Sequence, residues 1–329
     1  MNRATVVRPS AALSVDLDNL WSYLRTKGDP DWQAHRSFLP TAVPRLRALF
    51  DELAVQATIF IVGRDAETPA DAAVLAELIG DGHEAANHSY SHHPHFHTLG
   101  EAELDDELSR TEAALATLGV SRVYGFRAPS FRLSRALLRV LARRGYAYDT
   151  STFPNATGAL ARAWQRRHYG LDERAKAELA DQYGSLADLR RPLAPYRWRL
   201  PETDLIEVPV STLPLLRLPV HWTYVNYLAA TSTRCALAYV STHIALCRAR
   251  GLAPVLLLHA TDVLGADDAD CPRFMPGARL PAKAKLELLQ AGLTRYAASF
   301  DLVTIGKLVA QIAGSDRLAL RDPEHSRLP

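Results

Sequence analysis

Short apolar runs alternate with amphipathic stretches through the first 150 residues of the chain. The apolar runs have strand length, and the stretches between them have helical periodicity. The predicted strands lie at residues 11–18, 55–63, 83–89, 123–129 and 146–152. The predicted helices lie at about residues 41–53, 70–80, 98–118 and 134–145. Five strands separated by four helices predict a parallel sheet, closed or open, with its chemistry at the carboxyl ends of the strands.

The regular pattern stops after the fifth strand. Residues 155–200 contain charged helical stretches without a convincing strand, which predicts an insertion. Strand patterns return at 205–211 and 254–262, and one more helix and strand follow. The 329 residues would fit two domains or one barrel with insertions. We predict a single barrel-like domain over residues 1–313, followed by a polar tail at 314–329.

Composition and charge exclude several functional classes. Lys+Arg 38 against Asp+Glu 36 gives a net charge of +2 without a basic run, so a nucleic-acid partner is not expected. The 3 cysteines show neither metal nor disulfide spacing, which favours a reducing compartment. The chain reaches Asp16 before an apolar signal region forms, and no segment has about 18 uncharged apolar residues. We therefore expect a cytoplasmic protein.

Two carboxylates follow the first predicted strand. Asp16 and Asp18 are two residues apart, so on a strand they project from the same face. Two adjacent carboxylates repel each other, and burying them together requires a cation or a shared proton. The alternative is a solvated Asp-rich turn.

Six of the 12 histidines fall within fifteen residues: His83, His88, His92, His93, His95 and His97. His88 and His92 are four apart, so a single helical turn would bring both imidazoles to one side, which suits a divalent metal. A carboxylate from the first strand would complete a set of two histidines and one carboxylate with open positions for water and substrate. The other histidines are expected to be structural or surface residues.

Three more polar groups end predicted strands. Arg127 precedes Ala128-Pro129 and would pair with Asp16, although a surface arginine before a turn has the same sequence pattern. Asp149 ends the next strand. His259 follows the apolar run Leu256-Leu257-Leu258, where barrel enzymes keep catalytic groups, although a buried core histidine is the alternative.

Taken in order, these elements resemble the polysaccharide deacetylase family, also called carbohydrate esterase family 4 or the NodB-homology group. The resemblance rests on Asp16-Leu17-Asp18, the HSYSH segment at 88–92, Arg127-Ala128-Pro129, the strand-end Asp149 and Leu257-Leu258-His259, and it covers about residues 10–153 and 203–310. It implies an α/β fold, a distorted (β/α)7-type barrel with an inserted helical segment.

The resemblance also implies a role for each matched residue. Asp18, His88 and His92 match the ligands of a divalent metal, normally zinc, with cobalt, nickel or manganese as alternatives. Asp16 matches the catalytic base and Arg127 the residue that orients it. His259 matches the general acid, with Asp149 as its partner.

Two departures from the family pattern affect these assignments. The usual adjacent Asp-Asp is here Asp16-Leu17-Asp18, as in the intracellular, allantoinase-like branches. The tyrosine that usually follows Arg-x-Pro is here Ser130, so Pro129 and Ser130 are expected at the substrate, with a backbone N–H available for the oxyanion.

An unusually apolar segment spans residues 212–228. Its large side chains are Leu213, Leu215, Leu216, Leu218, Trp222, Tyr224 and Tyr227. Trp222 and Tyr224 are predicted to bind substrate, as part of a wall for a lipid chain or a peripheral contact with the inner face of the membrane. The alternative is that the segment covers the barrel core.

The main hypothesis is a metal-dependent hydrolase that removes an N-acetyl or N-formyl group from an amino sugar, with a lipid-linked sugar or glycolipid as one form of the substrate. A second hypothesis is an allantoinase-like hydrolase of a non-sugar C–N bond. A third is a catalytically silent module that binds carbohydrate or membrane; retention of every matched site residue argues against it. The sequence leaves the oligomeric state open.

Overall fold

The computed structural model describes residues 8–156, 188–201, 203–326 and 328. Its strands are β1 (Ser10–Asp16), β2 (Thr58–Ile61), β3 (Glu84–Asn87), β4 (Gly125–Phe126), β5 (Tyr148–Asp149), β6 (Tyr196–Trp198), β7 (Leu205–Glu207), β8 (Val255–His259), β9 (Asp301–Val303) and β10 (Ala319–Arg321). Its α-helices are α1 (Leu20–Thr26), α2 (Leu39–Glu52), α3 (Pro69–Gly80), α4 (Glu101–Thr117), α5 (Arg135–Arg143), α6 (Trp222–Ala229), α7 (Thr233–Arg250), α8 (Ala282–Ser299) and α9 (Ile305–Ile312). Most of the predicted insertion, residues 157–187, lies outside the described residues.

The strands form one mostly parallel sheet in the order β10-β6-β7-β5-β4-β3-β2-β1-β8, and β9 also pairs with β1. Only the β6–β7 pair is antiparallel among the described strand pairs. Helices connect most of the parallel strands, as parallel pairing requires. The predicted α/β architecture is confirmed.

The two ends of the parallel series meet. The backbone N–H of Ser211, four residues after β7, donates to the carbonyl of Val255 at the start of β8, at 3.1 Å. The side chain of Ser211 accepts a hydrogen bond from the N–H of Val255 at 2.7 Å. This contact joins β7 to β8 and brings β1, β2, β3, β4, β5, β7 and β8 into a distorted seven-strand barrel.

Alternation along the strands separates an outer apolar face from an inner face that carries polar groups at its carboxyl end. Leu13 and Val15 on β1 belong to the large apolar cluster packed under the helices, as does Leu258 on β8. Because successive side chains of a strand point to opposite faces, Asp16 and His259 lie on the inner face. They are also direct partners in the β1–β8 register. The fold therefore places these two groups side by side at the carboxyl end of the barrel.

The inner face leaves little room between β4 and β5. A Cβ atom built on Gly125 would lie 2.0 Å from Cζ of Tyr148, so any larger residue at 125 would displace this buried ring. The Tyr148 hydroxyl donates to Oε1 of Glu84 on β3 at 2.9 Å. The glycine before the Phe126-Arg127 pair thus allows a large aromatic ring to fill the barrel.

Two regions differ from the sequence-based expectations. Residues 155–200 were expected to lack a strand, but β6 pairs with both β7 and β10. Residues 314–329 were expected to form a polar tail, but they contain β10, and the side chain of Leu328 is buried in an apolar cluster with Trp198. Strands of three residues are too short to show a clear alternation in sequence. No helix in the described part of the chain is long and apolar enough to cross a lipid bilayer.

Candidate active site

The ends of β1 and β3 bring one carboxylate and two imidazoles together. Asp18 Oδ1 lies 3.1 Å from Nε2 of His88 and 3.2 Å from Nε2 of His92. One ligand atom from each residue lies within 4.8 Å of the others, and all three side chains are buried. The structure thus brings together the three residues that the sequence predicted as metal ligands.

The hydrogen bonds around Asp18, His88 and His92 favour a bound cation. The backbone carbonyl of Arg127 lies 2.8 Å from Nδ1 of His88 and can only accept, so Nδ1 carries the proton and Nε2 faces Asp18. Among the residues that the structure describes, no group meets hydrogen-bond geometry at Asp18 Oδ1, although this atom is buried. Burial would raise the pKa of Asp18, but His92 and His88 outweigh it and hold that pKa well below its usual range. An ionised carboxylate facing two imidazole nitrogens fits a divalent cation.

The loop that carries the histidines is not helical, contrary to the prediction of a single helical turn. Ser89 and His92 have φ values of 63° and 44°, in the left-handed region. Side chains stabilise this loop: Asn87 Oδ1 accepts from the N–H of Ser89, and Ser89 Oγ accepts from the N–H of His92. Glu107 on α4 accepts two further N–H groups of the loop. The imidazoles of His88 and His92 converge, with ring centroids 5.2 Å apart, because of this folded loop.

The predicted pair of Asp16 and Arg127 forms inside the barrel. Arg127 Nη1 donates to Asp16 Oδ1 at 2.5 Å, and both residues are buried. The guanidinium also donates to Ser14 Oγ at 3.2 Å and to the carbonyl and hydroxyl oxygens of Thr150. Its Cζ atom lies 4.1 Å from the ring centroid of Phe60. Arg127 is therefore held rigidly, and so is the carboxylate that it contacts.

His259 ends β8 beside a hydroxyl group and a carboxylate. Thr223 Oγ1 on α6 lies 3.3 Å from His259 Nδ1, and the buried Asp262 accepts from the His259 backbone N–H at 2.8 Å. Asn226 Nδ2 donates to Asp262 Oδ1 at 3.1 Å. Burial raises the pKa of Asp262, against the opposing charges of His259 and Lys285. The sequence resemblance assigned Asp149 as the partner of His259 and did not identify Thr223, whereas Asp262 lies only three residues after His259.

In the described part of the chain, the contacts of Asp149 are to groups other than His259, and its partnership with His259 stays a prediction. Its Oδ1 accepts from Ser151 Oγ at 2.6 Å, and its neighbour in the β5–β7 register is the equally buried Glu207. Burial, followed by the charge of Glu207, raises the pKa of Asp149 well above its usual range. Burial and the neighbouring carboxyl thus both favour the protonated form of Asp149. The signal for this pair was Glu207 inside the apolar run LIEVPV.

The predicted substrate residues Pro129 and Ser130 form a tight turn after β4. Pro129 is buried, whereas Ser130 is exposed and has a φ of 54° and a ψ of 22°. Left-handed backbone at a non-glycine residue is uncommon and clusters at functional sites.

Trp222 and Tyr224, also predicted to bind substrate, have different environments. Trp222 is 2% exposed and packs against Gly292 of α8, so it belongs to the core and offers no surface to a substrate. Tyr224 is 36% exposed, and its ring centroid lies 4.5 Å from that of His221. His221 in turn lies 5.4 Å from His259, ring to ring, and burial together with His259 lowers the pKa of His221 well below its usual value. The His221 ring is therefore close to both Tyr224 and His259.

A family model described as polysaccharide deacetylase matches residues 30–148, which include His88, His92 and Arg127. The resemblance to the polysaccharide deacetylases is confirmed. The match to this family does not extend to Asp16, Asp18 or His259, and the Asp-x-Asp branch stays a prediction.

Solved structures show the same fold. A candidate polysaccharide deacetylase from Mycobacterium smegmatis superposes with a TM-score of 0.65 at 20% identity, covering 98% of this chain and 95% of that one. The allantoinase Puue gives 0.59 at 14% identity, covering 95% and 93%. A candidate polysaccharide deacetylase from Pseudomonas aeruginosa gives 0.57 at 15% identity, covering 94% and 92%. At these identities the likeness establishes the barrel and leaves the substrate open.

Proposed function

We propose that this chain is a divalent-metal-dependent hydrolase that removes an N-acetyl or N-formyl group from an amino sugar. The observation that carries the proposal is the buried trio of Asp18, His88 and His92 beside the Asp16–Arg127 pair, with His259 on the adjacent strand. The family match supports a hydrolase acting on amide bonds of carbohydrates. A divalent ion held by the trio would polarise the amide carbonyl and lower the pKa of a water molecule.

Asp16 supplies the base in this reaction. Its carboxylate takes a proton from the attacking water while the water oxygen forms a bond to the carbonyl carbon. Arg127 fixes the direction of that carboxylate, because its guanidinium donates to Asp16 and is itself held by Ser14 and Thr150.

His259 supplies the acid. When the C–N bond breaks, the electron pair goes to the nitrogen, which takes a proton from the imidazole, so the products are a carboxylic acid and an amino sugar. The contact between Nδ1 and Thr223 leaves Nε2 to face the substrate. The side-by-side register of Asp16 and His259 suits groups that act on opposite sides of one tetrahedral carbon.

The apolar segment 212–228 favours a lipid-linked sugar. Leu215 and Leu216 lie at the tip of the loop closed by the Thr212–Pro219 bridge, and their side chains are 64% and 62% exposed. Tyr227 on α6 is 60% exposed. Exposed leucines and an exposed aromatic ring are typical of contact with an acyl chain or a bilayer interface.

Two variants test the assignment of the base and the ligands. Asp16→Asn should retain the bound metal and lose turnover by about 10²- to 10⁴-fold, the typical contribution of a general base. His88→Ala should lose both. His95→Ala, which removes an exposed histidine of the same cluster, is the matched control and should retain both. Metal content by mass spectrometry and acetate or formate release are the measurements, and an active Asp16→Asn variant would refute the role of Asp16.

A substrate panel separates the proposed reaction from the allantoinase-like alternative. The purified protein is incubated with N-acetylated and N-formylated amino sugars, their lipid-linked forms, and cyclic ureides. Release of acetate or formate from the amino sugars supports the proposal. Ring opening of a ureide without release from any amino sugar contradicts it.

A further inference from the structure

Two arginines and two tryptophans form a cluster beside the loop that carries the histidines. The ring centroids of Trp21 and Trp32 are 5.5 Å apart. The Arg64 guanidinium lies 4.8 Å from the Trp32 centroid and 5.2 Å from that of Trp21. The Arg25 guanidinium lies 5.3 Å from the same Trp32 ring. One indole thus contacts two cationic groups at once.

The cluster is attached to both parts of the candidate metal site. Trp21 and Arg25 are on α1, which starts two residues after Asp18. Arg25 Nη1 donates to the carbonyl of Ser91 at 2.6 Å, and the backbone N–H of Arg64 donates to the carbonyl of Tyr90 at 3.1 Å. Ser91 and Tyr90 lie between His88 and His92. A group bound by the two guanidiniums would therefore lie at the rim of the site.

The two positive charges have no carboxylate in direct contact among the described residues. Neither guanidinium forms an ion pair with a carboxylate among the residues that the structure describes. Glu107 acts on Arg25 electrostatically, but its Oε2 already accepts the N–H groups of Tyr90 and Ser91. Burial lowers the pKa of Arg25, and the repulsion from Arg64 lowers it further. All three half-buried side chains, Arg25, Trp32 and Arg64, remain partly open to solvent.

We propose that Arg25 and Arg64 bind a phosphoryl group of the substrate, with Trp32 as an apolar platform between them. This inference rests on the proposed function and specifies its substrate class as an N-acylated amino sugar that carries a phosphate or a diphosphate. A tetrahedral phosphoryl group offers enough acceptor oxygens for two guanidiniums simultaneously, and arginine is the preferred partner for such groups. A lipid carrier and a nucleotide both supply this chemistry.

Binding assays test the inference without requiring turnover. Isothermal titration compares N-acetylglucosamine with N-acetylglucosamine 1-phosphate, and two further arms use a uridine-diphosphate form and a short-chain prenyl phosphate form. We expect the phosphorylated sugars to bind at least about tenfold more tightly, as one or two charge-assisted hydrogen bonds provide. The preferred phosphorylated form identifies the source of the phosphate.

Matched substitutions locate the binding site. Arg64→Gln should weaken binding of the sugar phosphate by about tenfold and leave binding of the neutral sugar unchanged. Arg36→Gln makes the same charge change at an exposed position close by in sequence and should change neither. Arg25→Gln should repeat the Arg64→Gln result, with metal content measured because Arg25 also contacts the Ser91 carbonyl.

The outcomes separate this inference from the proposed reaction. Equal affinity for neutral and phosphorylated sugars, absence of measurable binding of the sugar phosphate, or equal losses in Arg64→Gln and Arg36→Gln overturns the phosphate site. If acyl release from neutral sugars continues in that case, the proposed function stands alone. Selective, Arg64-dependent binding of the phosphorylated sugar without any acyl release supports the site and contradicts the reaction.

Discussion

Replacing Arg127 with methionine should expose the energetic cost of the charge at Asp16. Methionine has a similar unbranched stem but cannot donate a hydrogen bond, so Arg127→Met leaves the Asp16 carboxylate buried without its partner. Arg127 is 0% exposed and Asp16 is 2% exposed, so water cannot replace the lost guanidinium. The substitution therefore tests whether the ion pair acts as a unit.

The magnitude follows from the contacts of the guanidinium. It makes one short bond to Asp16 and further bonds to Ser14 and Thr150. Breaking a buried ion pair by removing one partner typically costs about 3–5 kcal/mol. We expect a loss in this range, which is a large fraction of the stability of an ordinary domain.

Urea unfolding followed by circular dichroism measures this loss. The double variant Asp16→Asn with Arg127→Met removes both charges, so its cost should be smaller than the sum of the single costs by about 1–3 kcal/mol. Arg122→Met, which removes an exposed arginine, is the control and should stay within about 0.5 kcal/mol of the parent. A cost below about 1 kcal/mol for Arg127→Met, or strict additivity in the double variant, would refute the argument.

Three further substitutions test other parts of the structure. Asp149→Asn replaces a carboxyl whose pKa is raised by burial. A carboxyl with a raised pKa in the folded state stabilises the protein most below its unfolded pKa of about 4. The stability advantage of the parent over the variant should therefore shrink between pH 5 and pH 8 in urea unfolding. Thr223→Val should lower kcat more than it changes KM, because it removes the hydroxyl group beside His259 Nδ1. Thr223→Ser keeps a hydroxyl group and should have the kcat of the parent. Equal kcat in all three proteins would contradict this role of Thr223. Gly292→Ala would place a Cβ atom 2.1 Å from the Trp222 ring, so it should lower stability by about 1–3 kcal/mol in thermal unfolding, and an unchanged Tm would show that the packing is looser than described.

Sequence patterns predicted the positions of the site residues well where strand ends determine them. Asp16 and His259 end β1 and β8, and Arg127 directly follows β4. Parallel strands present their carboxyl ends at one edge of the barrel. The i, i+4 spacing of His88 and His92 selected the two histidines that the structure places beside Asp18, but for a reason that the structure does not support. A loop with left-handed residues brings these two imidazoles together, and sequence spacing alone does not distinguish such a loop from a helical turn.

Partner choice and burial depended on tertiary packing and were not accessible from the sequence. The partners of His259 come from α6 and from the turn after β8, whereas Asp149 faces Glu207 across the β5–β7 pair. Tryptophan is common at binding sites, but Trp222 is buried because Gly292 on α8 leaves room for its ring. Strand neighbours and helix packing decide both cases, and neither has a local signature.

The placement of Asp16 and His259 on hydrogen-bonded neighbouring strands affects how such an enzyme can change its substrate. Strands in a ladder lie about 4.7–4.9 Å apart, and this spacing is set by backbone hydrogen bonds. The distance between Asp16 and His259 is thus independent of the connecting loops. The loops can lengthen, shorten or exchange side chains, as surface loops commonly do, while the proposed base and acid keep their separation. Substrate preference can therefore change through the loops at the rim of the site while Asp16 and His259 keep their positions.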